Sequence, residues 1–450
     1  MSNVHKLFDE FLQNKNLVIG EKAESGKWSS GLLRTQKGEP RSILANAIHA
    51  LREAPEWDSV LWYDDFATMT VARKRPPWIP ETENWEPTVW SDRCDFLTTE
   101  WLQHQGIMVQ AVIAGQAVET VARDRTFHPV REYLDGLVWD GTPRLDRWLV
   151  TYLGAEETPY IVAIGPRWMI SAVARVRIPG CQADSALILE GPQGIKKSSA
   201  LAVLAGSWFT DGLSELGSKD SAMETRGVWI IELAELDSLS RPEVSTTKAF
   251  ISRRHDRFRP PFGKRLVDLP RQCVFAGSVN PEGGYLKDAT GGRRFWPVVC
   301  GVIDIEALKR DRDQLWAEAY VRFKRKEPWW LEDKGLQKYA TDEQAERYQG
   351  DAWEEPISKW LTHTVELGDS YSKRRPQPLL EVSVGEVLEK ALRIEASRWT
   401  QGDQNRVVRC LISMGFRKCR PRNTEGKRER RYRRDDDGSI GPGKLDFGPG

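Results

Sequence analysis

The chain has 450 residues, with 66 Lys and Arg against 65 Asp and Glu and a formal net charge of +1. This length exceeds what one hydrophobic core supports, so several domains are expected, and the balanced charge excludes a general attraction of the whole chain to nucleic acid. The six cysteines include no Cys-x-x-Cys pair, which argues against a zinc site and fits a reducing cytoplasm. No apolar run has the length of a membrane helix, so no membrane partner is expected.

Residues 1–150 are predicted to form a mainly helical region. Apolar residues recur at helical spacing over 42–51. Further helices are expected near 94–105, 107–122, 144–153 and 160–176, short strands near 60–63 and 69–72, and a Trp- and Pro-rich surface loop over 75–90.

Residues 151–350 are predicted to form an α/β domain, because apolar strand-like runs alternate with helical stretches from Asp184 to about Lys326. Its most informative stretch is 186–199, where a buried strand, a glycine-bearing loop and a helix start follow one another. That order is typical of a phosphate-binding loop, whose backbone N–H groups and helix N-terminus bind a polyphosphate.

The loop is expected to bind ATP, with Lys197 reaching the β- and γ-phosphates and Ser198 holding Mg²⁺. The predicted nucleotide-binding residues are Gly191, Gln193, Gly194, Ile195, Lys196, Lys197, Ser198 and Ser199. Lys196 stands where the usual pattern has its second glycine, and a positive φ there would cost a lysine roughly 1 kcal/mol. The alternative is an ordinary glycine-rich turn between a strand and a helix.

Polar residues follow two further predicted strands. Residues 228–231 form a strand candidate that ends in Glu232 and Glu235, and residues 272–279 form another that ends in Asn280. Such residues lie beside the phosphate loop in nucleotide-binding sheets. Glu232 would hold Mg²⁺ directly or through water and Glu235 would orient the attacking water, although these roles are exchangeable. Asn280 would contact the γ-phosphate or its water, or else simply form a turn.

Two basic features accompany these strands. Arg293 and Arg294 lie on a glycine loop, where either would serve as an arginine finger or pair with a neighbouring acid. Residues 241–265 hold eight Lys and Arg against two Asp and Glu, interleaved with Phe, a pattern that suits single-stranded DNA as well as a solvated surface. The predicted DNA-binding residues here are Lys248, Arg253, Arg254, His255, Arg257, Arg259 and Lys264.

Residues 351–434 are predicted to form a winged-helix-like DNA-binding domain, followed by a disordered tail over 435–450. Amphipathic helices are expected at 384–392 and 404–414, and a basic hairpin at 416–434. The DNA-binding residues predicted on this hairpin are Arg417, Lys418, Arg420, Arg422, Lys427 and Arg428. The alternative is a solvated, charge-rich chain end.

The order of these motifs resembles the virulence-associated protein E family of phage and prophage proteins, which is related to superfamily 3 helicases of the AAA+ class. The residues that carry the resemblance are 190–199, 229–237, 248–263, 273–280 and 291–298. The resemblance implies an α/β P-loop ATPase that encircles DNA as a ring, expected to be a hexamer, in the cytoplasm of a bacterial host. It further implies that ATP binds between subunits, that Arg294 or Arg293 acts in trans, and that residues 248–264 form a pore hairpin.

The favoured function is therefore an ATP-dependent DNA helicase or translocase of phage-type replication, acting on single-stranded or forked DNA. A primase or a replication-initiation protein is a further expected partner, since some relatives carry an N-terminal primase. Residues 1–150 show no acidic pair suited to a polymerase site, so primase activity is not expected. The alternatives are a nucleotide-switched DNA-binding regulator of replication or host defence and, less favoured, a small-molecule P-loop kinase.

Overall fold

A computed structural model gives the protein a mixed α/β architecture with parallel and antiparallel sheets. It describes residues 27–214, 216, 218–233, 241–259, 265–280, 294–347, 351–363, 379–419 and 431–434. Outside these ranges lie the predicted site residues Glu235, Lys264, Arg293, Arg420, Arg422, Lys427 and Arg428 and the predicted tail 435–450. Within the described ranges, no helix is long and apolar enough to cross a membrane.

The N-terminal region contains more sheet than the sequence predicts. Its four strands have the order β3-β2-β1-β4, and two of them have only two residues each, too few for a periodic signal. The elements are α1 (Leu44–Glu53), β1 (Leu61–Asp64), β2 (Met69–Ala72), β3 (Thr88–Val89), α2 (Asp92–His104), α3 (Ala111–Ala122) and β4 (Thr126–Phe127).

The Trp- and Pro-rich passage over 75–90, predicted as a surface loop, contributes to the core of this region. Trp78 is 8% exposed, and its ring lies 5.7 Å from that of Trp57 in an edge-to-face arrangement. Trp90 lies 5.7 Å from Trp78, so the three indoles form one cluster. Large aromatic side chains bury much apolar area at small entropic cost, which explains how a passage whose only described regular element is the two-residue strand β3 is held in place.

The central sheet has five parallel strands in the order β11-β5-β10-β7-β6. These strands are β5 (Ala186–Glu190), β6 (Phe209–Thr210), β7 (Ile230–Leu233), β10 (Val274–Val279) and β11 (Phe295–Val299). All five residues of β5 are buried, as expected for a strand with neighbours on both sides and helices on both faces. The strand predicted at 228–231 lies two residues further along the chain, so Glu232 is inside β7 and not after it.

Helices pack on both faces of this sheet, and two buried indoles tie the helices and strands together. Trp168 Nε1 donates to the carbonyl of Phe275, and Trp229 Nε1 donates to that of Ala172, both at 2.9 Å. The remaining elements of this part are α4 (Pro129–Gly136), α5 (Trp148–Leu153), α6 (Pro159–Arg177), α7 (Lys197–Ala205), α8 (Lys219–Glu224), α9 (Arg241–Ile251), β8 (His255–Phe258), β9 (Val267–Pro270), α10 (Ile305–Lys324) and α11 (Lys334–Glu346).

A separate hydrophobic cluster holds the C-terminal elements together. Ile357, Val387, Leu411 and Tyr432 are among its buried members. Its three-stranded sheet has the order β12-β14-β13 with antiparallel pairs. The elements are α12 (Glu354–His363), β12 (Glu381–Val382), α13 (Val384–Glu386) with a π-helical turn at Val387–Ala391, α14 (Gln401–Ser413), β13 (Arg417–Cys419) and β14 (Arg431–Arg433).

His128 joins the start of α4 to the segment that leads into β10. Its Nδ1 accepts a hydrogen bond from the backbone N–H of Arg131 at 3.2 Å, and its Nε2 lies 2.8 Å from Gln272 Oε1. The imidazole is 5% exposed, and this burial lowers the pKa of His128 from 6.5 to about 4. Since the folded protein keeps this ring neutral, acid that protonates the unfolded chain favours unfolding.

We predict that His128 makes the protein less stable as the pH falls from about 6.5 to about 4, the interval between its unfolded and folded pKa values. The contribution of the neutral His128 to the free energy of unfolding is complete above this interval, and it decreases by about 2 kcal/mol between pH 7 and pH 5. Thermal unfolding of wild type, His128→Gln and the control His104→Gln at both pH values measures it. A His128→Gln variant that loses as much stability on acidification as wild type would contradict the prediction.

Candidate nucleotide site and nucleic-acid surfaces

The carboxyl ends of β5, β7 and β10 meet at one edge of the central sheet. Glu190, the last residue of β5, pairs with Val279 of β10, and Glu232 of β7 pairs with Ala276 of the same strand. Since ligands of open parallel sheets bind outside the carboxyl ends of the strands, this edge is the place to look for a nucleotide site. The loop at 191–196 begins there, directly after β5.

The loop has a backbone shape that requires three residues with positive φ. Gly191 has φ of 148°, Gly194 has φ of 87°, and Lys196 has φ of 71° with ψ of 30°. A Cβ at Gly191 would lie 2.7 Å from Ile195 Cδ1, so space as well as conformation favours glycine there. Lys196 is in the left-handed conformation, the strained state that its position in the motif suggested.

Lys197, the first residue of α7, folds back over the loop. Its Nζ donates hydrogen bonds to the carbonyl of Gly191 at 2.6 Å and to that of Pro192 at 2.9 Å, and the residue is 8% exposed. These carbonyls satisfy the buried ammonium group. Of the other predicted loop residues, Gln193, Gly194, Lys196, Ser198 and Ser199 are exposed and Ile195 is half-buried.

Ser198 and Glu232, 34 positions apart in sequence, are in direct contact. The Ser198 hydroxyl donates to Glu232 Oε1 at 2.8 Å. Glu232 is 2% exposed, and no described residue donates a hydrogen bond to its Oε2. A buried carboxylate oxygen without a donor is costly, and a cation removes that cost.

This pair fits the residues that a magnesium ion uses in phosphate sites. Mg²⁺ takes oxygen ligands, commonly one or two protein oxygens with phosphate and water oxygens in the remaining positions. Ser198 Oγ and Glu232 Oε2 are two such oxygens at the edge of the sheet where the loop begins. Glu235, the second acid predicted here, lies outside the described residues.

Asn280 lies at the same edge of the sheet as the loop. It follows β10 directly and is exposed, and the backbone N–H of Gly191 donates to the carbonyl of the preceding Val279 at 3.2 Å. A polar side chain at this point is next to the start of the loop, as the sequence predicted.

Arg294 lies at the opposite edge. It precedes β11, whose first residue Phe295 pairs with Ala186 at the start of β5, roughly 13 Å from Glu190 along the strand. Arg294 Nε donates to Ser252 Oγ at 2.6 Å and lies 4.0 Å from Asp184 Oδ2. Arg294 therefore does not belong to the loop site of its own chain.

The sequence does not predict the buried ion pair that Arg347 forms with Glu190, the residue directly before the loop. Arg347, just after α11, has its Nε 2.5 Å from Glu190 Oε1, and both side chains are nearly buried. Arg347 also bonds Glu343, one turn earlier. Because Glu190 ends a buried strand, its carboxylate requires a basic partner, but no pattern in the sequence identifies Arg347, 157 positions away, as that partner.

The basic central segment forms the antiparallel hairpin of β8 and β9. Along β8 the exposed His255 and Arg257 alternate with the buried Asp256 and Phe258, and Arg259 continues the exposed set. His255 Nδ1 lies 3.3 Å from Asp268 Oδ1 on the paired strand. The hairpin thus presents a basic face, partly offset by one acid.

Lys248, Arg253 and Arg254, the other described residues of this predicted set, lie at the base of the hairpin. Lys248 is 6% exposed, with Nζ 5.9 Å from the ring centroid of Phe295, so its predicted DNA contact is not supported. Its position on the inner side of α9 is the reason. Arg253 is half-buried against Phe250, and Arg254 Nε donates to the carbonyl of Gly180 at 2.7 Å. Arg254 remains exposed.

A buried salt bridge fixes the hairpin to the sheet. Arg271 is 2% exposed and Asp256 is 3% exposed, and two nitrogens of the guanidinium donate to the carboxylate at 2.8 and 2.5 Å. Arg271 directly follows β9 and lies three residues before β10, so the hairpin joins the sheet at the amino end of β10. This is the edge that also carries Arg294.

The C-terminal sheet presents a second basic surface. Arg417 and Lys418 of β13 are exposed, as predicted. On the neighbouring strand Arg433 bonds Glu381 at 2.5 Å, and Arg431 bonds Glu386 at 2.9 Å. Among the described residues of this sheet, the basic charge available to a ligand is therefore concentrated on β13.

Comparisons with known proteins give one family match and distant structural matches. The apo structure of the NrS-1 C terminal region (305–718) is 11% identical, with 83% of this chain and 95% of that chain covered and a TM-score of 0.45. An A form apo structure of the NrS-1 C terminal region is 13% identical, with 67% and 74% covered and a TM-score of 0.41. No curated protein matches. Residues 134–349 match the virulence-associated protein E-like domain, so the chain contains a domain of this family.

We predict that Lys196→Gly stabilises the protein, because glycine adopts the observed φ of 71° without strain. The gain is up to about 1 kcal/mol, a rise of roughly 2–4 °C in the unfolding temperature. Lys196→Ala is the matched control, since it removes the same charge and keeps the strain. If the unfolding temperature of Lys196→Gly is no higher than that of Lys196→Ala, the left-handed conformation does not strain this residue.

Proposed function

We propose that this chain, which carries a virulence-associated protein E-like domain, is an ATP-dependent DNA helicase or translocase of phage or prophage replication. The observation that supports this most is the contact between Ser198 and Glu232, whose buried Oε2 has no hydrogen-bond donor among the described residues, beside a loop that ends in Lys197. A serine, a lysine and a carboxylate at the carboxyl edge of a parallel sheet are the parts of a P-loop NTPase. On this proposal the central domain is a P-loop ATPase of AAA+ type.

The residues have separate tasks toward MgATP. The loop N–H groups and the N-terminus of α7 bind the phosphates, and Lys197 exchanges its loop carbonyls for the β- and γ-phosphate oxygens. Ser198 and Glu232 hold Mg²⁺, which neutralises the charge that develops on the transferred phosphoryl group. Asn280 contacts the γ-phosphate or its water. Glu232 or Glu235 orients that water.

The position of Arg294 favours hydrolysis between subunits. Because it lies at the edge of the sheet opposite its own loop, it is suited to the phosphate of a neighbouring chain in a ring. To reach a neighbouring chain, Arg294 must break its hydrogen bond to Ser252. Because Ser252 lies three residues before β8, movement of the proposed arginine finger is linked to the hairpin. The proposed assembly is a homo-oligomer, expected as a hexamer.

Two surfaces are proposed for DNA. The exposed side chains of His255, Arg257 and Arg259 suit the phosphates of a single strand in the pore. The C-terminal unit, with α14 followed by the strands β13 and β14, is proposed as a winged-helix-like domain that contacts forked or duplex DNA. The predicted boundaries at residues 150 and 350 stay predictions, although Val130 and Leu134 of α4 already pack in the central core.

We predict that Lys197→Ala abolishes ATP hydrolysis, because the only cation that reaches from α7 to the phosphates in this proposal is removed. The exposed Lys309→Ala on α10 is the control and should keep wild-type turnover. Phosphate release at saturating MgATP measures both. Undiminished hydrolysis by a Lys197→Ala protein that unfolds at the wild-type temperature would exclude the loop as the site.

Arg294→Ala should bind ATP and fail to hydrolyse it, and should inhibit wild-type subunits when the two are mixed. Each variant subunit disables a neighbour's site, and since hydrolysis at one site of the proposed ring depends on its neighbours, activity falls more steeply than the wild-type fraction. Arg310→Ala, whose side chain is 71% exposed, serves as the control. Mixing Arg294→Ala with Lys197→Ala tests the sharing itself, because a shared site is rebuilt wherever an intact loop meets an intact Arg294 of the next subunit. No recovered hydrolysis in that mixture would mean that subunits do not share the site.

Strand displacement distinguishes this function from a nucleotide-switched DNA-binding regulator. A helicase hydrolyses ATP faster with single-stranded DNA and separates a forked duplex, whereas a switch binds both ligands without separating strands.

A further inference from the structure

The outward face of α14 is a candidate for reading base pairs. Gln401, Asn405 and Arg409 follow one another at four-residue spacing and are exposed, whereas Val407, Cys410 and Leu411 face the core. At 3.6 residues per turn, the three polar side chains lie on one side of the helix. Gln401 Nε2 donates to Asn405 Oδ1 at 3.2 Å, so these two amides are in contact.

The inner side of α14 is fixed firmly. Arg406 bonds Asp351 at 2.7 Å, and its guanidinium lies 4.2 Å from the ring centroid of Trp353. Ser413 Oγ donates to Glu354 Oε1 at 2.7 Å near the other end of the helix. Thr400 and Asp403 form a capping box at its start. The helix therefore has a set orientation, and its polar face is not needed to hold it.

The residue types on this face suit duplex DNA. Arg pairs with guanine and Asn or Gln with adenine through two hydrogen bonds in the major groove, where an α-helix fits. Ile412 is 47% exposed on the same face and offers an apolar contact of the kind that a thymine methyl accepts. Basic side chains suited to DNA phosphates flank this face. Arg398 precedes the helix, Arg417 and Lys418 follow it, and all three are exposed.

We propose that α14 reads a short duplex sequence in the major groove through Gln401, Asn405 and Arg409, while Arg417 and Lys418 bind the adjacent phosphates. This goes beyond the proposed motor function, because a motor that tracks a single strand needs no base contacts. The C-terminal unit would then deliver the central domain to a particular DNA sequence. The site is independent of ATP and can be tested whether or not the chain hydrolyses it.

Selection from a randomised duplex library with the full-length protein, without nucleotide, tests this directly. We expect one short sequence to be enriched. Asn405→Ala and Arg409→Ala should each lower affinity for it by about tenfold or more and relax the preference at one base pair. Both positions are exposed, so the unfolding temperature should stay at the wild-type value.

Arg417→Ala and Lys418→Ala are the matched comparison. Each should weaken binding equally for every sequence and reduce the slope of log affinity against log salt by about one, with the preferred sequence unchanged. The proposal is overturned if no sequence is enriched, or if an Asn405→Ala/Arg409→Ala double variant enriches the same sequence as wild type. Either result would leave the ATPase proposal untouched, since that depends on Lys197.

Discussion

The hydrogen bond between Ser198 and Glu232 is the contact on which the functional account depends. It joins the first turn of α7 to β7, two strands away from β5 in the sheet. Glu232 remains buried with one oxygen unpaired among the described residues, an arrangement that costs folding free energy unless a cation or water occupies it. Such strain is characteristic of sites that are completed by a ligand.

The polarity of the parallel sheet separates the two proposed sites of the central domain. The loop, Glu232 and Asn280 belong to the carboxyl ends of the strands, whereas Arg294 and the base of the hairpin belong to the amino ends. A nucleotide bound at one edge is therefore remote from the hairpin of its own chain. In the proposed ring, the edge with Arg294 would face the loop of the next subunit, so that hydrolysis in one subunit and the hairpin of its neighbour are coupled through Ser252.

The sequence predicted the strands and the loop around the candidate site, because their signals are local. The strand, loop and helix at 186–205 and the strand before Asn280 follow from apolar runs and glycines, and even the strain at Lys196 followed from the motif. What failed depends on distant contacts. The strands β3 and β4 are too short for periodicity, Lys248 is covered by Phe295, and Arg347 reaches Glu190 from 157 positions away. These features depend on tertiary packing, so local sequence propensity does not predict them.

The most direct test of the central claim is a crystal structure with a non-hydrolysable ATP analogue and Mn²⁺ in place of Mg²⁺, recorded at a wavelength where manganese scatters anomalously. We expect one anomalous peak at coordination distance from Ser198 Oγ and beside Glu232, with the triphosphate on the loop and Lys197 turned from its carbonyls to the phosphates. Analogue and manganese bound elsewhere, with Ser198 and Glu232 still hydrogen-bonded to each other, would contradict it.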